Sequence, residues 1–227
     1  MKVVVALGGN LADTALVRAR VGGAELVIAA DSGADRLRRL GLQPHAVIGD
    51  FDSLAADRIE ALRTSGVEIV PHPEPQYRTD GQVALELAAS RGASEVILLG
   101  VRGGPRIDHS LSNAMFLVAD EFASMPITAI SGWSEATGAF GRESGWGRDT
   151  VTFAGARGDY VSLIPVSQRV GGVSTHGLRW PLREADLERG VPAATSNELA
   201  AAAGGFSLAT GHAIVTHQFR GDHLPDP

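Results

Sequence analysis

Short runs of consecutive apolar residues recur along the first half of the chain, with stretches of helical periodicity between them. The apolar runs predict β-strands at residues 3–7, 25–30, 46–48, 67–70 and 95–99. The amphipathic stretches predict helices at residues 34–40, 54–64, 80–90 and 111–122. Strands this apolar are covered on both faces, as in parallel sheets, and their alternation with helices is typical of βαβ units. We therefore predict an α/β N-terminal domain with a mainly parallel sheet flanked by helices.

The pattern changes near the middle of the chain. Residues 132–148 are rich in glycine and show no helical period. Beyond them, β-type runs separated by glycine occur at residues 150–153, 160–166, 206–209 and 212–217. We predict that a small all-β sandwich domain follows the α/β domain, with the two domains at residues 1–128 and 129–227. So small a module often needs a partner surface, so we expect dimerisation through it.

Composition narrows the classes of partner. The chain has 26 acidic and 20 basic residues and no cysteine. This balance argues against nucleic-acid binding, and the lack of thiols excludes disulfides and thiolate metal sites. Lys2 is the one lysine, so any other cationic side chain that contacts a phosphate must be an arginine. No apolar run approaches the ~20 residues of a membrane span, so we expect a cytoplasmic protein without a membrane partner.

Acidic residues follow the predicted strands or begin the predicted helices. They are Asp31, Asp50, Asp52, Asp80 and Asp108. At the carboxyl edge of a parallel sheet, where open α/β folds bind ligands, they would lie close together. Any one of them alone is more often a helix cap. Asp50 and Asp52, one residue apart on a turn, can both reach one hard cation such as Mg²⁺, which also takes phosphate oxygens.

Glycines at the same strand ends fit a phosphate ligand. Gly8-Gly9, Gly33, Gly49 and Gly103-Gly104 would let backbone N–H groups approach a phosphate, and adjoining helix N-termini favour anions. Each glycine alone is more often a simple turn. The chain has no GxxxxGK[ST] segment, which excludes a P-loop protein, and no GxGxxG segment, which weakens a dinucleotide-binding interpretation.

Several motifs resemble those of the thiamine pyrophosphokinase family. They are DSGAD at 31–35, GDFDS at 49–53, TD at 79–80, RIDHSLSN at 106–113, STHGLRWPL at 174–182 and SN at 196–197. The resemblance implies transfer of diphosphate from ATP to the hydroxyethyl group of thiamine, which leaves AMP, with Mg²⁺ as cofactor. It also implies a homodimer with the active site at the subunit interface.

The resemblance further implies roles for individual residues. The metal ligands would be Asp31, Asp50, Asp52 and Asp80, and the catalytic acids Asp50, Asp52, Asp80 and Asp108. The nucleotide-binding residues would be Asp31, Ser32, Arg102, Arg106, His109 and Asn113. The thiamine-binding residues would be Gln76, Thr79, Ser174, Leu178, Trp180, Ser196 and Asn197.

Physical chemistry supports two of these roles separately. Trp180 lies beside Gly177 and Pro181 in a turn-like stretch, a poor place for a core aromatic residue. An indole face suits a flat cationic heterocycle, although a tryptophan that covers the sandwich rim is the alternative. Diphosphoryl transfer needs positioning and charge neutralisation more than covalent chemistry. A carboxylate, such as that of Asp80, would accept the hydroxyl proton.

Two departures from the family pattern leave alternatives open. Tyr77 stands where the family commonly has an acid, and Pro105 lies in a loop one residue longer than usual. Either Arg102 or Arg106 could therefore contact phosphate. The alternatives to a thiamine kinase are a diphosphokinase for another heterocyclic alcohol, such as a hydroxymethylpterin, and a non-catalytic thiamine or nucleotide sensor.

Overall fold

The computed structural model describes residues 1–49, 51, 56–72 and 77–220, which form two compact units. Unit 1 comprises Met1–Phe116 and Ala129–Gly132, and unit 2 comprises Leu117–Thr128 and Trp133–Pro227. Three of the predicted site residues, Asp50, Asp52 and Gln76, lie outside the described residues. So do the first two residues of the predicted helix at 54–64.

Unit 1 alternates strands with helices. The strands are β1 (Lys2–Ala6), β2 (Leu26–Ala30), β3 (Ala46–Gly49), β4 (Glu68–Pro71) and β5 (Glu95–Leu99). The helices are α1 (Ala15–Val21), α2 (Gly33–Arg39), α3 (Ala56–Thr64), α4 (Asp80–Ser90) and α5 (Ile107–Met115). The strand order is β5-β1-β2-β3-β4, and each neighbouring pair is parallel. The predicted parallel α/β fold is confirmed.

The strand order places a reversal next to β1. The chain adds β2, β3 and β4 on one side of β1 and then returns to place β5 on its other side. At such a reversal, open α/β sheets have a crevice at their carboxyl edge. The strands beneath are wholly apolar at their centres, and Val4, Ile28 and Leu98 have no exposed surface.

Two local predictions in unit 1 differ from the structure. Helix α1 was not predicted, because it is short and buries only Leu16 and Val17. The single helix predicted at 111–122 is wrong: α5 begins at Ile107 and ends at Met115, and two 3₁₀ turns follow. The extended backbone of Ala119 (φ −72°, ψ 128°) separates those turns, so one helix cannot continue through them.

Unit 2 consists mainly of antiparallel strands. They are β7 (Ser134–Phe140), β8 (Thr150–Ala154), β9 (Tyr160–Pro165), β10 (Arg169–His176), β11 (Ala185–Glu188), β12 (Asn197–Glu198), β13 (Ala203–Ser207) and β14 (His212–Gln218). Strand β6 (Ile127–Ser131) precedes them, and its larger part belongs to unit 1, where it neighbours β5. Within unit 2 one group of strands runs β12-β9-β14-β7 and the other β11-β10-β13-β8. The predicted all-β second part is confirmed.

Side chains from both strand groups share one apolar core. Val161, Leu163 and Val215 come from the first group, and Val170 and Phe206 from the second. Since two groups of antiparallel strands bury side chains in the same core, the arrangement is a sandwich. None of the helices in the described part of the chain is both long enough and apolar enough to span a membrane.

Candidate active site

A cleft of about 340 Å³ lies in unit 1 at the carboxyl edge of the sheet. Its walls come from the segments that follow β1, β2 and β5, from helices α2 and α5 and from the first turn of α4. This is the crevice that the reversal of strand order beside β1 creates. The cleft is thus a direct consequence of the topology.

The floor of the cleft is backbone packed on backbone. The Gly9 N–H donates to the carbonyl oxygen of Gly100 at 3.0 Å, and the Asn10 N–H donates to that of Arg102 at 2.8 Å. A Cβ on Gly9 would lie 2.2 Å from the Gly100 oxygen, and one on Gly33 would lie 2.1 Å from the Ala6 oxygen. Only glycine fits at either position, so these glycines are required by close packing.

Two of the predicted acids line the cleft. Asp31 follows β2 with a positive φ of 45°, and its N–H donates to the carbonyl oxygen of Ile48 at 2.7 Å. Asp80 begins α4 and follows Thr79, whose hydroxyl accepts the Gln82 N–H at 3.2 Å. Two carboxylates on one cleft can hold a hard divalent cation.

Helix α5 brings further predicted residues to the cleft. Arg106, His109 and Asn113 line it, and Asn113 is largely buried. Asp108 is not part of the lining. Its carboxylate forms a bidentate ion pair with the Arg106 guanidinium, at 2.9 Å from Nε and 2.5 Å from Nη2. The hydrogen bond from Arg106 holds the pKa of Asp108 well below its usual range. So acidic a carboxyl group is a weak proton acceptor.

The remaining predicted residues of unit 1 differ in placement. Ser32 lines the cleft, whereas Arg102 is outside the lining and donates from Nε to the Ser131 hydroxyl at 2.7 Å. Tyr77 is 91% exposed. Arg36, which we did not predict, does line the cleft. The sequence signal for it was an arginine three residues after Gly33, one turn into the helix that follows β2.

Unit 2 holds the predicted residues around Trp180, whose side chain is 49% exposed. The Arg179 guanidinium lies over one face of the indole, 4.8 Å from the ring centroid, and is itself paired with Glu198 at 2.8 Å. The Asn197 amide accepts the Trp180 N–H at 3.0 Å and donates to the Trp180 carbonyl oxygen at 2.6 Å. Asn197 therefore fixes the backbone that carries the indole.

The other predicted residues of unit 2 have distinct surroundings. Leu178 is buried in the sandwich core and pairs with Leu199 in an isolated bridge. The Ser174 hydroxyl accepts the Glu184 N–H at 3.0 Å. Ser196 is exposed and has a positive φ of 58°.

The fold and the cleft together are typical of α/β proteins that bind a phosphate-bearing ligand at the carboxyl edge of the sheet. Comparison with known families narrows this class. The family model "Thiamin pyrophosphokinase, catalytic domain" matches residues 18–129, and "Thiamin pyrophosphokinase, vitamin B1 binding domain" matches residues 150–212. Together they match most of the chain. The chain belongs to the thiamin pyrophosphokinase family of enzymes.

Individual relatives agree with this assignment. The chain is 26% identical over 194 residues to a thiamine pyrophosphokinase of Bacillus subtilis, covering 84% of this chain and 86% of the relative. It is 27% identical to thiamine pyrophosphokinase 1 of Oryza sativa, covering 77% and 72% respectively. The crystal structure of a Geobacillus thermodenitrificans thiamin pyrophosphokinase superposes with a TM-score of 0.81 at 28% identity, covering 99% of this chain and all of the other.

Proposed function

We propose that this protein transfers the diphosphate group of ATP to the hydroxyl of thiamine and yields thiamine diphosphate and AMP. The observation that carries the proposal is the cleft at the switch point of unit 1, which combines a glycine floor with the carboxylates of Asp31 and Asp80. Membership of the thiamin pyrophosphokinase family supports the choice of thiamine as acceptor.

The donor set of the cleft fits Mg²⁺. Asp31 and Asp80 supply carboxylate oxygens, the ligand type that Mg²⁺ prefers, and Asp50 and Asp52 would complete the predicted set. A bound magnesium ion neutralises phosphate charge. Ser32 and Asn113 offer hydrogen bonds to the nucleotide from the same cleft. The metal set and these contacts are proposals that rest on the cleft lining and the family motifs.

Between the two arginines left open by the sequence, we favour Arg106 as the phosphate contact. It lines the cleft, whereas Arg102 is outside the lining and is hydrogen-bonded to Ser131. His109, in the first turn of α5, lines the cleft and would contact the nucleotide. Asp108 then acts as a positioning residue that orients the Arg106 guanidinium through the bidentate pair.

The proposed transfer of diphosphate needs one group that accepts the proton of the thiamine hydroxyl. The thiamine hydroxyl oxygen forms a bond to the β-phosphorus of ATP as the bond from that phosphorus to the α–β bridging oxygen breaks, and AMP leaves. The hydroxyl proton passes to a carboxylate. We assign this role to Asp80, because it lines the cleft while Asp108 is held as a weak base by Arg106.

The thiamine side is proposed to lie on the second domain. The indole of Trp180 has Arg179 on one face, so the thiazolium or pyrimidine ring would stack on the opposite face. Asn197 positions the indole through the Trp180 backbone, and Ser174, Ser196 and Gln76 would add polar contacts. We further propose residues 1–128 and 129–227 as the nucleotide and thiamine domains of a homodimer with the site at the subunit interface.

The test is an assay with ATP, Mg²⁺ and thiamine that scores both AMP and thiamine diphosphate. Equal formation of the two products is expected, and no thiamine diphosphate at high enzyme concentration would refute the proposal. A hydroxymethylpterin supplied in place of thiamine should give no product, because the chain contains the thiamin-binding domain of its family. Turnover with the pterin alone would favour the other diphosphokinase.

Site variants test the assigned roles. Asp31→Asn, Asp80→Asn and Asp50→Asn should each abolish turnover and leave the protein folded, whereas near-normal turnover would contradict the metal role. Asp35→Asn is the matched control, because Asp35 lies on α2 outside the cleft lining and 3.8 Å from Arg38. Turnover should be unchanged in that control.

The thiamine side has its own matched pair. Trp180→Ala should weaken thiamine binding more than ATP binding, and an equal loss of both would count against stacking. Trp146→Ala serves as control, because Trp146 is also in unit 2 and is similarly exposed, at 45%. Thiamine binding by the control should equal that of the wild type.

A further inference from the structure

Arg36 occupies a fixed position at the cleft. Helix α2 starts directly against the end of β1, since a Cβ on Gly33 would lie 2.1 Å from the carbonyl oxygen of Ala6. This close approach carries Arg36, one turn into α2, to the loop after β1. There its Nε donates to the carbonyl oxygen of Gly8 at 3.2 Å, and the side chain lines the cleft.

Arg36 differs from Arg106 and Arg102 in its ion pairing and its place in the cleft. Arg106 is engaged by the carboxylate of Asp108 through both Nε and Nη2. Arg102 lies outside the lining. Within the described parts of the chain, Arg36 has no acidic partner, and its guanidinium makes the single hydrogen bond to Gly8. Its Nη groups are therefore available to a ligand.

A guanidinium held at Nε with its Nη groups available is arranged for phosphate, which it binds by charge-assisted and often paired hydrogen bonds. The same cleft contains Asp31 and Asp80, which would repel a bare anion. A polyphosphate that carries a divalent cation satisfies both kinds of side chain. We infer that Arg36 binds the triphosphate of ATP, an inference that rests on the proposed function for the identity of the nucleotide.

The experiment measures equilibrium binding of Mg²⁺-ATP without thiamine, by calorimetry, to the full chain. Arg36→Gln removes the charge and should raise the Kd for ATP roughly 10- to 100-fold, the loss expected for charge-assisted hydrogen bonds. Arg36→Lys keeps the positive charge but lacks the paired N–H donors of the guanidinium, so it should bind ATP more tightly than Arg36→Gln and less tightly than the wild type. Arg38→Gln is the matched control on the same helix, because Arg38 is exposed, outside the lining and 3.8 Å from Asp35.

Adenosine binding, measured by NMR, separates a phosphate contact from a change in shape. Arg36→Gln should leave the Kd for adenosine unchanged, and a similar loss for adenosine and ATP would overturn the inference. So would an ATP affinity of Arg36→Gln equal to that of Arg38→Gln. If the wild type binds ATP through Arg36 and yet forms no thiamine diphosphate, the proposed reaction fails and the inference stands. If the wild type forms thiamine diphosphate and Arg36→Gln binds ATP normally, the proposed reaction stands and the inference about Arg36 fails.

Discussion

His217 of β14 lies between two acidic side chains inside unit 2, and all three are buried. Its Nδ1 is 3.2 Å from Oε1 of Glu135, and its Nε2 is 3.3 Å from Oδ2 of Asp159. The rings of Phe153 and Phe219 lie against the imidazole, with centroid distances of 5.1 and 4.1 Å. The cluster joins β14 to β7 and to the turn before β9 in an apolar environment, where polar partners are costly to lose.

His217→Phe keeps a ring of similar size and removes both nitrogens. Each buried carboxyl group then loses one hydrogen-bond partner, and loss of the partner of a buried polar group costs about 1–3 kcal/mol. Asp159 keeps the N–H groups of Ala156 and Arg220, each at 2.8 Å. Since two carboxyl groups lose a partner and Asp159 retains others, we expect a fall of about 3 kcal/mol in the free energy of unfolding.

Urea unfolding followed by tryptophan fluorescence measures this change. The three tryptophans are Trp133, Trp146 and Trp180. All of them belong to unit 2, so the signal reports on the unit that contains the cluster. His212→Phe is the matched control on the same strand, since its ring is 28% exposed and its Nδ1 lies 3.8 Å from the nearest carboxylate. The control should lose less than about 1 kcal/mol. A loss for His217→Phe no greater than for the control would refute the reasoning.

Three further predictions concern single contacts. Gly177→Ala should lower the free energy of unfolding of unit 2 by about 2–4 kcal/mol in the same fluorescence assay. The reason is that Gly177 has a φ of +63° and the new Cβ would lie 2.1 Å from a carbonyl oxygen of β13. A loss under about 1 kcal/mol would contradict this prediction. Arg148→Ala should lower the free energy of unfolding of unit 2 by about 2 kcal/mol, because the Arg148 guanidinium donates to two backbone carbonyl oxygens and a hydroxyl. Burial lowers the pKa of this guanidinium. An unchanged urea midpoint would contradict the expected loss. Arg106→Ala should raise the pKa of Asp108 toward the ordinary value of about 3.9 in a carboxyl NMR titration, whereas an unmoved midpoint would show that Arg106 is not the cause. The pKa of Asp108 is lower in the folded than in the unfolded state, so the pair with Arg106 stabilises the fold when the pH is above the pKa of the unfolded state. This stabilisation is lost as the pH falls through the pKa of the folded state. Both side chains are exposed, so the effect is small.

The sequence predicts elements best where burial is complete. Strand β2 is apolar throughout and β1 and β5 are apolar after their first residue, and each begins and ends within one residue of its predicted range. Strand β13 was predicted three residues too late, at 206–209. Its first part contains Gly204 and Gly205, which have no side chain to mark a buried face. A Cβ on Gly205 would lie 1.9 Å from the carbonyl oxygen of Val151, so packing rather than hydropathy places this strand.

The same distinction applies to the candidate site. Asp31 and Asp80 could be found because each immediately follows a strand or begins a helix, and any parallel sheet brings such residues to one edge. The position of Arg36 could not be found in this way. It depends on how closely α2 approaches β1, a distance that no periodicity encodes. The choice between Arg102 and Arg106 likewise depends on the path of a glycine-containing loop.

The cleft has a floor of closely packed backbone and an exposed arginine on its wall. This difference affects how the cleft would bind a polyphosphate. The loops after β1 and β5 are locked together, because Gly9 packs on Gly100 and a Cβ on Gly103 would lie 2.5 Å from the Asn10 side chain. A backbone held in this way needs little reorganisation when a ligand binds above it, and preorganised sites are the effective ones. Arg106 is 65% exposed on the wall, and its only ion pair among the described residues is the one with Asp108. A phosphate can compete for that guanidinium without disturbing the floor.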